Sequence, residues 1–240
     1  MFKNKLNILL VFVLLSSSLF AQRETTLNLP KFDHRFMHFG FLLGINSANF
    51  VLDRYPPTVY GADTLLILEP GSTTGFNLGI ISAMHLGERF SLRFTPNLAF
   101  AQRNLTYRFR TIEGDVEYVK PIESTLINFP LNIKFKSVRV NNFSAYIIGG
   151  AAYSLDLASN ENADNLSTNP NDIIVKLAKN DFMGQIGFGT DFYLEYFKFG
   201  IELKMSYGLK DFHIREDNMF SNPIETLKSK MFLLSFTFEG

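Results

Sequence analysis

From Lys198 to Lys210 the chain keeps a two-residue beat: Phe199, Ile201, Leu203, Met205, Tyr207 and Leu209 alternate with Lys198, Gly200, Glu202, Lys204, Ser206, Gly208 and Lys210. Side chains of a strand point alternately to opposite faces, so this segment carries one continuous apolar face and one face of charged and small residues. The run is longer than most globular strands and long enough to cross a bilayer at the tilt of barrel strands. Among folds, a transmembrane β-barrel satisfies such a strand directly, because its outer face meets lipid and its inner face a polar lumen.

The same beat recurs along the chain. His38 to Phe50 sets Phe39, Phe41, Leu43 and Ile45 against His38, Gly40, Gly44 and Asn46, and a second strand covers about Thr74 to Leu86. A turn at Gly87-Glu88-Arg89 leads to a third, with Phe90, Leu92, Phe94, Leu98 and Phe100 opposite Ser91, Arg93, Thr95, Asn97 and Ala99. Pro96 interrupts that row and, lacking an amide hydrogen, predicts a bulge or kink. The hairpin continues through Thr106 to Val119 with a tip near Gly114-Asp115. Strand four, Glu123 to Lys136, sets Ile127, Phe129, Leu131, Ile133 and Phe135 outside and Asn128, Asn132, Lys134 and Lys136 inside. Further strands are expected over Phe143–Leu155, Phe182–Tyr193, the opening run, and Lys228–Glu239. Val51–Ser72, Asp156–Asn180 and Asp211–Thr226 read as long loops from their Pro, Gly, Asn and Asp content, with a helical turn or two expected over Ile173–Lys179. The expectation is an all-β, eight-stranded antiparallel transmembrane β-barrel with short periplasmic turns, long extracellular loops and both termini in the periplasm.

The N-terminus supplies an address. Lys3 and Lys5 precede an apolar run from Leu6 to Leu15, then three serines and Ala21, the order of a secretory signal peptide. A membrane anchor is the alternative, but the run is too short and too broken for a spanning helix. The expected organisation is a signal peptide over 1–21, a periplasmic lead-in over 22–36 and the barrel over 37–240. Removing the two lysines takes Lys+Arg from 23 to 21 against 23 acidic residues, so the mature chain is nearly neutral and nucleic acid is not expected as a partner. There are no cysteines, which excludes disulfides and thiolate metal sites. The 26 phenylalanines, spread over alternating strands without long apolar runs, suit a lipid-facing sheet better than the small interior of a soluble barrel.

If Phe199, Ile201 and Leu203 face lipid, then Arg93, Lys134, Glu202 and Lys204 point into the lumen and must pair there, since an unpaired buried charge is costly. No metal-ligand spacing links His34, His38, His85 and His213. His213, with Ser206 and Asp211 near it in sequence, is the single combination that hints at acyl transfer. Histidines near a serine in a loop are common, and no enzyme, cofactor or small-molecule substrate is expected. Asn104-Leu105-Thr106 and Asn165-Leu166-Ser167 match the glycosylation pattern, incidentally for a bacterial outer-membrane chain.

Two groups of segments discriminate further. One is Leu29-Pro30-Lys31-Phe32-Asp33 followed by His38-Phe39-Gly40-Phe41 and Leu43-Gly44-Ile45-Asn46. The other runs from Ile122-Glu123-Ser124-Thr125-Leu126 through Asn128-Phe129-Pro130-Leu131, Lys134 to Arg139 and Asn141-Asn142-Phe143 to Ala145-Tyr146 and Gly149-Gly150. Together they resemble the PorT family of Bacteroidetes. The resemblance implies a non-enzymatic outer-membrane component of type IX secretion, which exports proteins with C-terminal sorting domains and supports motility in gliding species. It implies outer-membrane lipid and other secretion components as partners. The lead-in, tethered to strand one and facing the compartment from which substrates arrive, offers Pro30, Lys31, Phe32 and Asp33 as a candidate partner surface, with the long loops Val51–Ser72 and Asp156–Asn180 as further candidates; a solvated tail that only spaces signal from barrel is the alternative. A generic small barrel serving adhesion or envelope stability is the alternative.

Overall fold

The computed structural model describes residues 26–56, 59–60, 63–163, 165 and 169–240; the expected signal segment and its cleavage point lie outside them. Ten strands form one antiparallel sheet: β1 (Met37–Arg54), β2 (Val59–Tyr60), β3 (Asp63–His85), β4 (Phe90–Phe94), β5 (Asn97–Thr111), β6 (Gly114–Lys136), β7 (Phe143–Asp156), β8 (Asn180–Tyr193), β9 (Lys198–Gly208) and β10 (Ile224–Glu239). β4 and β5 are one stave broken at Thr95-Pro96, since both pair with β3 and β6. β2 is a two-residue addition to the end of β3. With these merged or set aside, eight staves remain. β1 pairs with β10 on one side (Phe41↔Phe238) and β3 on the other (Phe41↔Ile80), so the sheet closes and no stave is left as an edge within the ring.

The direction of the side chains decides between a membrane and a soluble barrel. Phe39, Ile80, Ile147 and Phe188 are 61–64% exposed on the outer wall, while Asn46, Arg93, Asn132 and Glu202 are 1% exposed inside. A soluble barrel would have the reverse arrangement. Near the rim that carries the short turns, the outer wall also carries a girdle of phenylalanines, with Phe41 stacked on Phe238 at 4.7 Å and Phe199 next to it at 5.3 Å.

Short turns at 86–89, 137–142 and 194–197 lie on one rim together with the start of β1 and the end of β10. On the other rim the structure corrects part of the loop assignment. β1 runs on to Arg54 and β3 begins at Asp63, so most of Val51–Ser72 is strand. Pro70 is tolerated because β1 and β3 pair only as far as Ala48↔Thr73, which leaves β3 with β5 alone at that level. Pro121 sits similarly in β6, which meets β7 only from Leu126 onward. The β5–β6 hairpin extends from the ring as expected, turning at Gly114, whose φ of +132 favours glycine. Over Ile173–Lys179 there is no helix; the segment is extended, and Leu177 bridges His213 in the neighbouring loop. There the loops fold over the extended strands and bury an apolar core of Phe50, Leu65, Leu105, Tyr107, Phe109, Leu177, Phe212 and Phe220.

Candidate functional site

The lumen is occupied from end to end. Toward the turn rim, the inward positions of five staves bring charges together. The Arg93 guanidinium lies 2.8 Å from one carboxylate oxygen of Glu202 and 3.2 Å from Glu239, and the Lys204 ammonium lies 3.2 Å from the other oxygen of Glu202. The Tyr146 hydroxyl donates to Glu202 at 3.0 Å. Lys134 pairs with Asp191 at 2.7 Å and lies 3.6 Å from the Tyr146 ring centroid; Lys198 pairs with Glu239 at 2.9 Å. All seven charges are buried, so each cation must meet a carboxylate to offset its lost hydration. The space left between Arg93, Lys134, Asp191, Lys198 and Glu239 is about 10 Å³, at the lower limit for a single water.

A layer of amides fills the middle. Asn46 donates to Asn77 at 2.6 Å, Asn77 to Asn97 at 3.0 Å, and Asn128 to Asn97 at 3.0 Å, while Asn132 donates to Gln185 and Gln185 to Ser206. Beyond it, Arg103 donates to Ser124 and Ser229 and lies 4.5 Å from the Phe50 ring, beneath the apolar cap. The cap is held in place by Tyr107, whose hydroxyl donates to the Phe220 carbonyl at 2.8 Å, and by Lys120, which donates to the carbonyls of Pro170 and Asn171 and lies over the Phe220 ring.

The mouth at the turn rim is closed by the lead-in, which from Asn28 on is not a solvated tail. Phe32 is buried and stacks on His38 at 3.7 Å, and Asp33 pairs with Lys136 at 2.6 Å while accepting from the Tyr193 hydroxyl. Burial pushes the Asp33 carboxyl up, but Lys136 and Tyr193 more than offset this and hold it below its ordinary value. Asn28 is fastened to Asn142, to the Tyr193 carbonyl and to Arg139. Of the four residues expected to form a partner surface, Phe32 and Asp33 are thus engaged within the chain, whereas Pro30 and Lys31 are exposed. They border a groove of about 280 Å³ with Leu29, Arg35, Tyr196 and Gly240.

His213 meets a serine, but not Ser206. Ser206 accepts from Gln185 within the lumen, while the His213 Nε2 lies 3.0 Å from the Ser221 hydroxyl, which itself accepts from the Glu216 amide. Burial holds the imidazole below its ordinary value, against the pull of Asp211. Asp211 accepts from the backbone amide of His213 and not from its ring, so it does not orient the ring as an acid of a triad would. The His213 and Ser221 side chains are both buried within the cap. Among the described residues no His, Cys, Asp and Glu cluster has the makings of a metal site.

Residues 20–213 match the family described as outer membrane protein beta-barrel domain. The chain belongs to this family. The apolar outer wall accordingly faces the lipid of an outer membrane. Among solved structures, the outer membrane protein OprG from Pseudomonas aeruginosa is similar, with 16% identity over 85% of this chain and 94% of that chain and a TM-score of 0.39. No curated protein matches the sequence.

The structure brings Arg93, Glu202 and Lys204 into contact and places Lys134 in the same cluster, paired with Asp191. Sequence reasoning missed Asp191, Lys198, Glu239 and Tyr146 as members. A signal was present: three cations against one carboxylate could not balance in a narrow lumen, and Lys198 and Glu239 lie on the polar parity of their strands. The docking of Phe32 on His38 had no such signal, because it depends on how the lead-in folds back across the ring.

Proposed function

We propose that this outer-membrane barrel is a non-enzymatic accessory of type IX protein secretion, acting through its surfaces and not as a conduit. The observation that supports this reading is the filled lumen. A tube closed by the lead-in, a charge network, an amide layer and an apolar cap has no path for a folded protein, so a role in export must be exercised on the outside of the ring. The resemblance of the Leu29–Asn46 and Ile122–Gly150 segments supplies the process. In this reading the turn rim and both termini face the periplasm, where cargo arrives, and the docked lead-in presents Pro30 and Lys31 beside Tyr196 to other secretion components. Deleting the gene is expected to trap sorting-domain cargo in the periplasm, and the purified barrel in a planar bilayer is expected to show almost no conductance. Normal export in the deletion strain leaves the generic role in adhesion or envelope stability, with which the family match agrees equally.

A further inference from the structure

The outer wall carries a groove that the barrel's own packing does not require. Along one register level, Ile133, Gly149, Ile186, Met205 and Phe232 follow each other across β6 to β10, and Phe135, Ile147, Phe188 and Leu203 lie on the next level toward the turn rim. These residues line a groove of about 680 Å³. Its floor is open at Gly149, where an added Cβ would meet only the Gln185 carbonyl at an ordinary 3.5 Å; at Gly150 and Gly187 a Cβ would collide with main chain of the neighbouring strand. Glycine at 149 therefore leaves space without being demanded by backbone approach.

A second, independent feature lies directly above. One level from Phe232 toward the loop rim, Lys230 stands opposite Tyr207, with its ammonium 5.2 Å from the centroid of the Phe232 ring. Lys228 follows on the same face. Both are half-buried on the outer wall, and neither makes an ion pair among the described residues, unlike Arg93, Lys134, Lys198 and Lys204 inside. The nearby Asp53 carboxylate accepts from Thr226. An apolar groove at membrane depth, with two lysines that lack an ion-pair partner at its polar end, is complementary to an anionic amphiphile. The geometry points to a site for one phosphorylated glycolipid of the outer leaflet, its phosphate on Lys228 and Lys230 and an acyl chain in the groove over Gly149. The leaflet rests on the orientation proposed above; the phosphate-and-chain chemistry does not.

The test uses the mature barrel in phosphatidylcholine nanodiscs containing either bis-phosphorylated lipid A or phosphatidylglycerol, with retained lipid measured by native mass spectrometry after detergent washing. The wild-type chain is expected to keep one lipid A and to keep phosphatidylglycerol poorly. Near a membrane surface each lysine is worth about fivefold in affinity, so Lys228→Gln with Lys230→Gln is expected to weaken retention about 30-fold. Gly149→Leu, which fills the groove without touching the lysines, is expected to abolish it while the barrel still migrates as a folded species in unheated gels. Equal retention by all three chains, as a general lipid annulus gives, overturns the site. Loss in the lysine variant but not in Gly149→Leu overturns the groove. Equal retention of the two lipids overturns the outer-leaflet ligand. Orientation is read separately from Ile112→Cys, the added thiol being the only one in the chain and on the exposed hairpin tip. Failure of an impermeant maleimide to label it in whole cells overturns the orientation and the leaflet, whatever the nanodisc result.

Discussion

At the turn rim the lumen is filled by charges carried on ladder-bonded strands; at the loop rim it is filled by phenylalanines and leucines, several of them on loops folded over the ring. Both seal the tube, yet they tolerate error differently. A buried charge needs a partner within a few ångström, and the rigid ladder gives Lys134 or Asp191 few other places to look. An apolar cap relies on a non-directional force, so its loops can resettle around a lost contact at the expense of a cavity. The first closure should therefore be intolerant of single substitutions but repairable in pairs, and the second locally soft but not repairable that way.

The largest effect should come from Asp191→Asn, which leaves Lys134 without its carboxylate at 2.7 Å. Breaking such a pair is expected to cost about 3–5 kcal/mol, read from urea unfolding in detergent. Adding Lys134→Met should restore most of the loss, because Lys198 keeps Glu239 at 2.9 Å. Losses that simply add would break the comparison. In the cap, Phe220→Ala should cost about 3–5 kcal/mol through a cavity, but only locally. Hydrogen exchange should rise in residues 169–179 and 211–223 while the strand ladders stay protected. A fall in the stability of the whole barrel equal to that of Asp191→Asn would mean that the two closures are one cooperative unit.

A smaller, pH-dependent effect separates them further. His213 is neutral in the closed cap because burial holds it below its ordinary value of 6.5, whereas the opened cap takes up a proton near that value. Cap stability should be full above pH 6.5 and should decline as pH falls below it, and His213→Asn should flatten the profile. Exchange of amides in the cap, measured above and below that pH, checks the sign. The smallest effect is expected at the mouth. Asp33→Asn removes the charge that faces Lys136 and should cost about 1 kcal/mol, seen as faster exchange over residues 28–35 with no change in the barrel. Because the Asp33 carboxyl is held below its ordinary 3.8, this contribution is fully present above that pH and is lost as pH falls through the lowered value.

The ring itself was legible because strand parity is a local property. Phe199, Ile201 and Leu203 on one side and Lys198, Glu202 and Lys204 on the other follow from the backbone pleat alone, as does the break at Pro96. The extent of β3 was less legible. Pro70 and Gly71 read as loop, and only the absence of β1 at that level makes a proline acceptable in a strand. At the lumen, parity selected Arg93 and Lys134 as inward but could not say that Asp191 and Glu239 would meet them. His213 shows the same limit: sequence proximity suggested Ser206, and the loop's fold supplied Ser221.

What the sequence determined by itself is whatever depends on a two-residue period: the barrel class, its inside and outside, and the sign of the charges it places in the lumen. What only the tertiary structure decided is which of those charges pair, that the lead-in closes the mouth with Phe32 and Asp33, and that loops distant in sequence share one apolar core. These depend on the register between staves and on the chain returning across the ring. The pairing of β1 with β10, as at Phe41↔Phe238, is set by closure of the whole sheet, a condition that no single strand carries.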